Sequence, residues 1–211
     1  SEMFMRGRSI EARLYAEDPQ VEFLPSIGTL HQLAFGPGLR VDTGVKTGGV
    51  ISPFYDPMIA KLCTWAPTRL AAIEAMRDAL DGFEVEGIGH NLPFLAAVMD
   101  HPKFVSGNIT TAFIEEEYPE GFQVVNPDDA TLQRLAAVAA HMKMLNEARA
   151  VQISGAMPNH KRRVEPDWIV KIGSTSIPVH IEETGASTEV TFSDGTHFEV
   201  VSNWTLGDRL F

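Results

Sequence analysis

Two hydrophobic periods that follow one another constrain this sequence most. From Asn126 to about Ala150, apolar residues recur every three or four positions, and after Pro166 they alternate instead. Side chains three and four apart share a helix face, whereas side chains two apart share a strand face. The second half therefore reads as one long helix followed by a run of strands. Asn126-Pro127-Asp128-Asp129 marks the helix start: asparagine caps, proline costs nothing at the first position, and two aspartates meet the positive end of the dipole. The spacing predicts a stripe of Leu132, Leu135, Ala139, Met142 and Leu145 or Asn146. So narrow and alanine-rich a stripe calls for a partner surface. Trp168 to Ile172, Ile177 to Ile181, Thr188 to Phe192 and His197 to Val201 predict successive antiparallel strands. Asp194-Gly195 is the hairpin turn, because both residues tolerate positive φ. A sheet of four or five strands leaves open edges, so an incomplete β-barrel is expected, with closing strands beyond Phe211.

The first half mixes short strands, turns and helices, which makes the whole chain α+β. Gly36-Pro-Gly38 and Gly48-Gly49 are turn signatures ahead of strands at Leu39 to Asp42 and Val50 to Phe54. Pro67 suits the first position of a helix to about Phe83, with Leu70, Ile73, Met76, Leu80 and Phe83 facing a core. Asn91 is placed to cap the next helix, whose core face is Phe94, Leu95 and Val98, and another short helix starts near Thr111. The predicted division is 1–122 and 123–211, with the long helix at 127–150 and the strands within 167–211. At 211 residues the chain can hold one compact domain or, more naturally, one small domain plus part of a second.

A formal charge of −11 gives no bulk attraction for nucleic acid or anionic membrane. The one cysteine, Cys63, permits no internal disulfide and reads as a structural thiol in an apolar run. A reducing compartment fits, the bacterial cytoplasm ahead of a mitochondrial matrix. No phosphate loop, zinc-helix motif or serine elbow is present, and the seven histidines lack ligand spacing.

A few residues stand out against ordinary structural roles. Arg40 follows the glycine turn, where a strand can aim a guanidinium at an anion, although a salt-bridged arginine is the commoner case. Tyr55, Asp56 and Lys61 flank Pro57-Met58 as either a turn network or a polar wall. His160-Lys-Arg-Arg163 suits a solvated loop or an acidic partner better than phosphate. Met142-Lys143-Met144 looks like the triplet around a biotinylated lysine. It falls inside the predicted helix, however, and reads as coincidence.

Six ordered blocks carry a resemblance. Ile10-Glu-Ala-Arg-Leu-Tyr-Ala-Glu-Asp-Pro19, Phe23-Leu-Pro-Ser26, Arg40-Val-Asp-Thr-Gly-Val45, Phe54-Tyr-Asp-Pro-Met-Ile-Ala-Lys61, Gly87-Ile-Gly-His-Asn91 and Thr110-Thr-Ala-Phe-Ile114 resemble the C-terminal subdomain of biotin carboxylase. Pro53 to Trp65, Phe83 to Gly87 and Ala112 to Phe122 look like the α subunits of the propionyl-CoA carboxylase family, and Trp204-Thr-Leu-Gly-Asp208 resembles their carboxyltransferase-binding domain. The resemblance implies a ligase that uses ATP, Mg2+ or Mn2+, and bicarbonate to carboxylate biotin, then passes the carboxyl group to propionyl-CoA. It implies that Arg40 stabilises the developing biotin oxyanion, that Thr111 lies near the adenine, and that Glu86 lies near the biotin side. Arg69 matches a dimer-interface arginine. Implied partners are the carboxyltransferase β subunit and the remainder of the α subunit with its biotin carrier domain, without nucleic acid or membrane. The phosphate-gripping lysines, metal-binding glutamates and bicarbonate base belong ahead of Ser1, and the carrier belongs beyond Phe211. The isolated chain is thus expected to bind no cofactor and to be inactive. The alternatives are a docking module for the carboxyltransferase subunit, or the same region of another acyl-CoA or pyruvate carboxylase.

Overall fold

The computed structural model describes residues 6–36, 38–151, 164–184 and 187–208. The basic run His160-Lys-Arg-Arg163 lies outside them. Contacts divide the α+β chain into two units, Ser1–Val125 and Asn126–Phe211.

The first unit is built on three antiparallel strands: β1 (Arg8–Tyr15), β2 (Arg40–Thr43) and β3 (Met58–Ala66), with β3 in the middle. Alternation decides the faces. Ile10, Ala12 and Leu14 of β1 are buried while Glu11 and Arg13 between them are exposed. Helix α1 (Arg69–Asp81) covers the apolar face with Ile73 and Met76. Thr64 of β3 donates its hydroxyl to the Ala72 carbonyl at 2.9 Å, fixing helix to sheet. The rest of the unit comprises α2 (Leu92–Asp100), α3 (Pro102–Ser106), α4 (Phe113–Glu117) and three two-stranded ribbons. One ribbon pairs Gln32–Ala34 with Glu84–Glu86.

Several local expectations need correction. Helix α1 starts two residues later than Pro67, because Thr68 accepts the Ala71 N–H at 3.2 Å and is the cap. Leu70 is 61% exposed, since the buried stripe is Ala72, Ile73, Met76, Ala79 and Leu80. The strand expected over Val50 to Phe54 is only Val50–Ile51, and Phe54 is 93% exposed. Helix α3 was not foreseen from the sequence.

In the second unit, α5 (Asp129–Val151) packs on an antiparallel sheet ordered β4 (Asp167–Ile172), β5 (Thr175–Thr184), β6 (Ser187–Phe192) and β7 (His197–Val200). The sheet is open, not closed into a barrel. Asp194-Gly195 makes the predicted hairpin: Gly195 has φ of 84°, and Asp194 Oδ1 accepts the Thr196 N–H at 2.9 Å. The helix cap is Asp128, which accepts the Thr131 N–H at 2.8 Å, rather than Asn126. The buried stripe is also rotated from the predicted one, to Ala136, Ala137, Ala140, His141 and Met144, leaving Leu135 49% exposed. Alanines let the helix approach Val179, Ile181 and Val190 closely, which leucines at those positions would prevent. Lys143 ion-pairs with Glu147 one turn on, at 2.7 Å, so Met142-Lys143-Met144 is ordinary helix.

Candidate active-site cleft

The exposed face of the three-stranded sheet is a charged surface set by register. Glu11 pairs with Cys63, which pairs with Arg40. One rung on, Arg13 pairs with Lys61, which pairs with Asp42. Arg40 forks onto Asp42 through two contacts, Nε to Oδ1 at 3.1 Å and Nη2 to Oδ2 at 2.8 Å. Arg13 contacts Glu11, Nε to Oε1 at 3.0 Å, and also interacts with the Tyr15 side chain. Hydrogen bonding to Arg40 holds the Asp42 carboxyl below its usual range, and Glu11 raises Arg13 above its own.

Beside β1 opens a largely apolar cleft of about 610 Å³. One wall is Glu11, Arg13, Tyr15 and Glu17 with Phe94, Leu95 and Val98 of α2. The other is Ile109, Thr110, Thr111, Phe113 and Ile114. Burial, and then the Asp56 charge, raises the Glu17 carboxyl above its ordinary value. Asn91 stands at the junction, 5% exposed. Its Oδ1 accepts the Tyr15 N–H at 2.9 Å and its Nδ2 donates to the Arg13 carbonyl at 3.2 Å. Asn91 precedes α2 but makes no side-chain cap, because its amide serves as a strand neighbour for β1.

Of the residues singled out from the sequence, the cleft takes in Thr111. Neither Arg40, with its side chain 75% exposed, nor Glu86 is among the described residues that line it. Glu86 sits in its ribbon opposite Gln32. Arg69 lies over the Phe104 ring at 4.9 Å and donates to the Phe104 carbonyl, so its guanidinium is engaged within the unit. Asp56 accepts the Met58 N–H at 3.0 Å, Tyr55 is 84% exposed and Lys61 faces Asp42, so these three are not brought together as a network. Sequence reasoning passed over Arg13 and Glu17. The available signal was the run Glu11, Arg13, Tyr15, three polar-tipped residues on one side of a strand whose other side is apolar.

Among the described residues no group of three or more His, Cys, Asp or Glu is placed to hold a metal ion, so they do not by themselves make a site for Mg2+ or Mn2+. No described helix is long and apolar enough to cross a membrane. In the second unit, Ile169 of β4 and Val201, just past the end of β7, are each 71% exposed.

Residues 11–116 match the biotin carboxylase C-terminal domain, and residues 135–211 match the propionyl-coenzyme A carboxylase BT domain. The chain is 54% identical over 228 aligned positions to the propionyl-CoA carboxylase alpha chain of Ruegeria pomeroyi, covering 98% of this chain and 34% of that one. It is 35% identical to the mitochondrial propionyl-CoA carboxylase alpha chain of Sus scrofa, over 96% of this chain and 29% of that one. It thus spans about a third of the length of the curated relatives it matches. The biotin carboxylase domain of a thermophilic 2-oxoglutarate carboxylase bound to bicarbonate is similar in structure, with a TM-score of 0.53 and 40% identity, covering 56% of this chain and 27% of that one. By both of its domain matches, this chain belongs to the biotin-dependent carboxylases.

Proposed function

We propose that this chain is the region of an acyl-CoA carboxylase α subunit where the carboxylating half meets the assembly half. The enzyme uses ATP and bicarbonate to carboxylate biotin for transfer to propionyl-CoA. The observation that carries this reading is the order of the two domain matches on one chain, the carboxylase C-terminal domain first and the BT domain after it. The boundary between them is proposed near residue 122, and the compartment is the bacterial cytoplasm, in keeping with the higher identity to the bacterial relative.

The first unit contributes one side of the reaction cleft. Thr111 is assigned to the adenine side and Glu86 to the periphery of the biotin side. A fixed cation beside a developing oxyanion stabilises it without reorganisation. The resemblance gives that role to Arg40, but the cleft offers Arg13, which shares its space with Thr111. Arg13 is held there by Glu11 and Tyr15, whereas both fork contacts of Arg40 go to Asp42. The second unit, with its exposed Ile169 and Val201, is assigned to docking the carboxyltransferase β subunit.

The test is Arg13→Ala against Arg40→Ala in the full-length enzyme. Arg13→Ala is expected to lower kcat for biotin carboxylation about 100-fold, and Arg40→Ala by no more than about threefold. The reverse pattern returns the role to Arg40, and parental turnover in both removes this sheet from the chemistry. The 211-residue chain alone is expected to show no biotin-dependent ATP hydrolysis.

A further inference from the structure

The two walls of the cleft are held together by a clasp. The wall bearing Thr111 ends in α4, whose five residues are too few to be stable alone. Its last residue, Glu117, reaches across to the junction of α2 and α3. Glu117 Oε2 lies 3.2 Å from His101 Nε2, and Glu117 Oε1 meets Lys103 Nζ. His101 Nδ1 accepts the Lys103 backbone N–H at 3.3 Å, which leaves the ring proton on Nε2 to be donated to Glu117. The His101 ring also stands edge-on to Phe113 at 5.0 Å. The Glu117 and His101 side chains are only 17% and 21% exposed, so solvent screens this contact less than an ordinary surface pair. At the other end of the wall, Thr110 donates its hydroxyl to Glu116 at 3.3 Å and accepts the Ala112 N–H at 3.2 Å. Turn and helix therefore move as one piece, anchored at Glu117. A carboxylate at the C-terminal end of a helix gains nothing from the dipole, so the clasp is what accounts for it.

We propose that Glu117 is a positioning residue for the nucleotide. By clasping His101 and Lys103, it fixes how far the Thr110-Thr111 wall stands from β1, and hence how well the cleft holds adenine. The inference rests on the reading that Thr111 faces the nucleotide.

In the full-length enzyme, Glu117→Ala is expected to raise the KM for ATP roughly fivefold, leaving kcat within about twofold and the KM for bicarbonate unmoved. Glu117→Gln keeps an acceptor for His101 Nε2 and should fall between parent and Ala. Lys103→Met removes one arm at a side chain 46% exposed, opens no core, and should give the same split at smaller size if Glu117→Ala fails to fold. A KM for ATP at the parental value in Glu117→Ala and Lys103→Met, or a uniform fall in kcat with all KM values unchanged, overturns the proposal. Thr111→Arg in parallel separates the two layers of the argument. If it leaves the KM for ATP unchanged, that wall does not meet the nucleotide, and the reading of the cleft fails first.

Discussion

Replacing Asn91 with alanine tests how the first unit holds its cleft wall. The substitution keeps both backbone bonds of residue 91, its N–H to the Tyr15 carbonyl at 3.2 Å and its carbonyl to the Leu95 N–H at 3.0 Å. It removes the two side-chain bonds, leaving the Tyr15 N–H and the Arg13 carbonyl without their partners. A backbone polar group left unsatisfied in the interior costs about 1–3 kcal/mol, so two give about 2–6 kcal/mol. The cleft borders Asn91 and admits water, which pulls the expectation to the lower half, about 2–4 kcal/mol. Against a total stability of about 5–15 kcal/mol this is a large loss. Trp65 lies in the first unit and Trp168 and Trp204 in the second, so urea unfolding followed by fluorescence in a Trp168→Phe, Trp204→Phe background reports the first unit alone. A loss below about 0.5 kcal/mol, the scale of an ordinary surface change, would refute the idea that this side chain completes the edge of β1.

Other expectations follow from single contacts. Gly87 has φ of 103°, and a Cβ there would lie 2.2 Å from the Thr29 carbonyl oxygen, so Gly87→Ala should cost at least about 3 kcal/mol and show as loss of soluble folded chain. Asp128→Ala should cost the second unit about 1 kcal/mol in urea titration and Asn126→Ala close to nothing, the reverse of what the sequence suggests. Glu189 pairs directly with Glu182 on one side and Glu199 on the other, so Glu189→Thr should raise the second unit's stability by up to about 1 kcal/mol. Two histidines of that unit should have midpoints displaced in opposite directions, as read by ring NMR. Burial lowers His141, so its contribution is intact above a pH of about 6.5 and is lost as pH falls below it. Asp167, then Glu182, raises His180, whose contribution is present below about 6.5 and is lost as pH rises through its folded value. A His141 midpoint above that of His180 would contradict both environments.

What the sequence disclosed and what it hid follow from the range of the interactions involved. The Asp194-Gly195 hairpin and the four strands around it were legible, because turn chemistry and period-two alternation act within a few residues. The burial face of α5 was not. Counting leucines pointed to Leu135, whereas packing against a sheet selected Ala136, Ala137 and Ala140. Asn91 was legible as a helix-start residue, but its amide is used 76 positions away in sequence, on Tyr15, which no local signal encodes. Thr111 was reached by resemblance and does line the cleft, while Arg13 needed the faces of β1 to be known.

The cleft also explains an irregularity in the sheet. Leu14 pairs with Ala60 and Tyr15 with Met58, so Ile59 is an extra residue in β3. A bulge of this kind strengthens the local twist and disrupts the ladder locally. Here it lets Ile59 and Ala60 both turn inward, each 1% exposed, when strict alternation would send one of them out. The Ile59 carbonyl accepts the Thr43 hydroxyl at 2.7 Å, so β2 secures the bulge from its other side. Beyond it pairing goes on in the shifted register, Tyr15 opposite Met58 and the Ala16 N–H on the Pro57 carbonyl at 2.9 Å, while the Tyr15 N–H goes to the Asn91 side chain. A one-residue slip without the bulge would exchange the two faces of β1, burying Glu11 and Arg13 and exposing Ile10, Ala12 and Leu14. The apolar core therefore enforces the register that presents Arg13 to the cleft, and the bulge shifts that register by one residue at Tyr15, the last residue of β1.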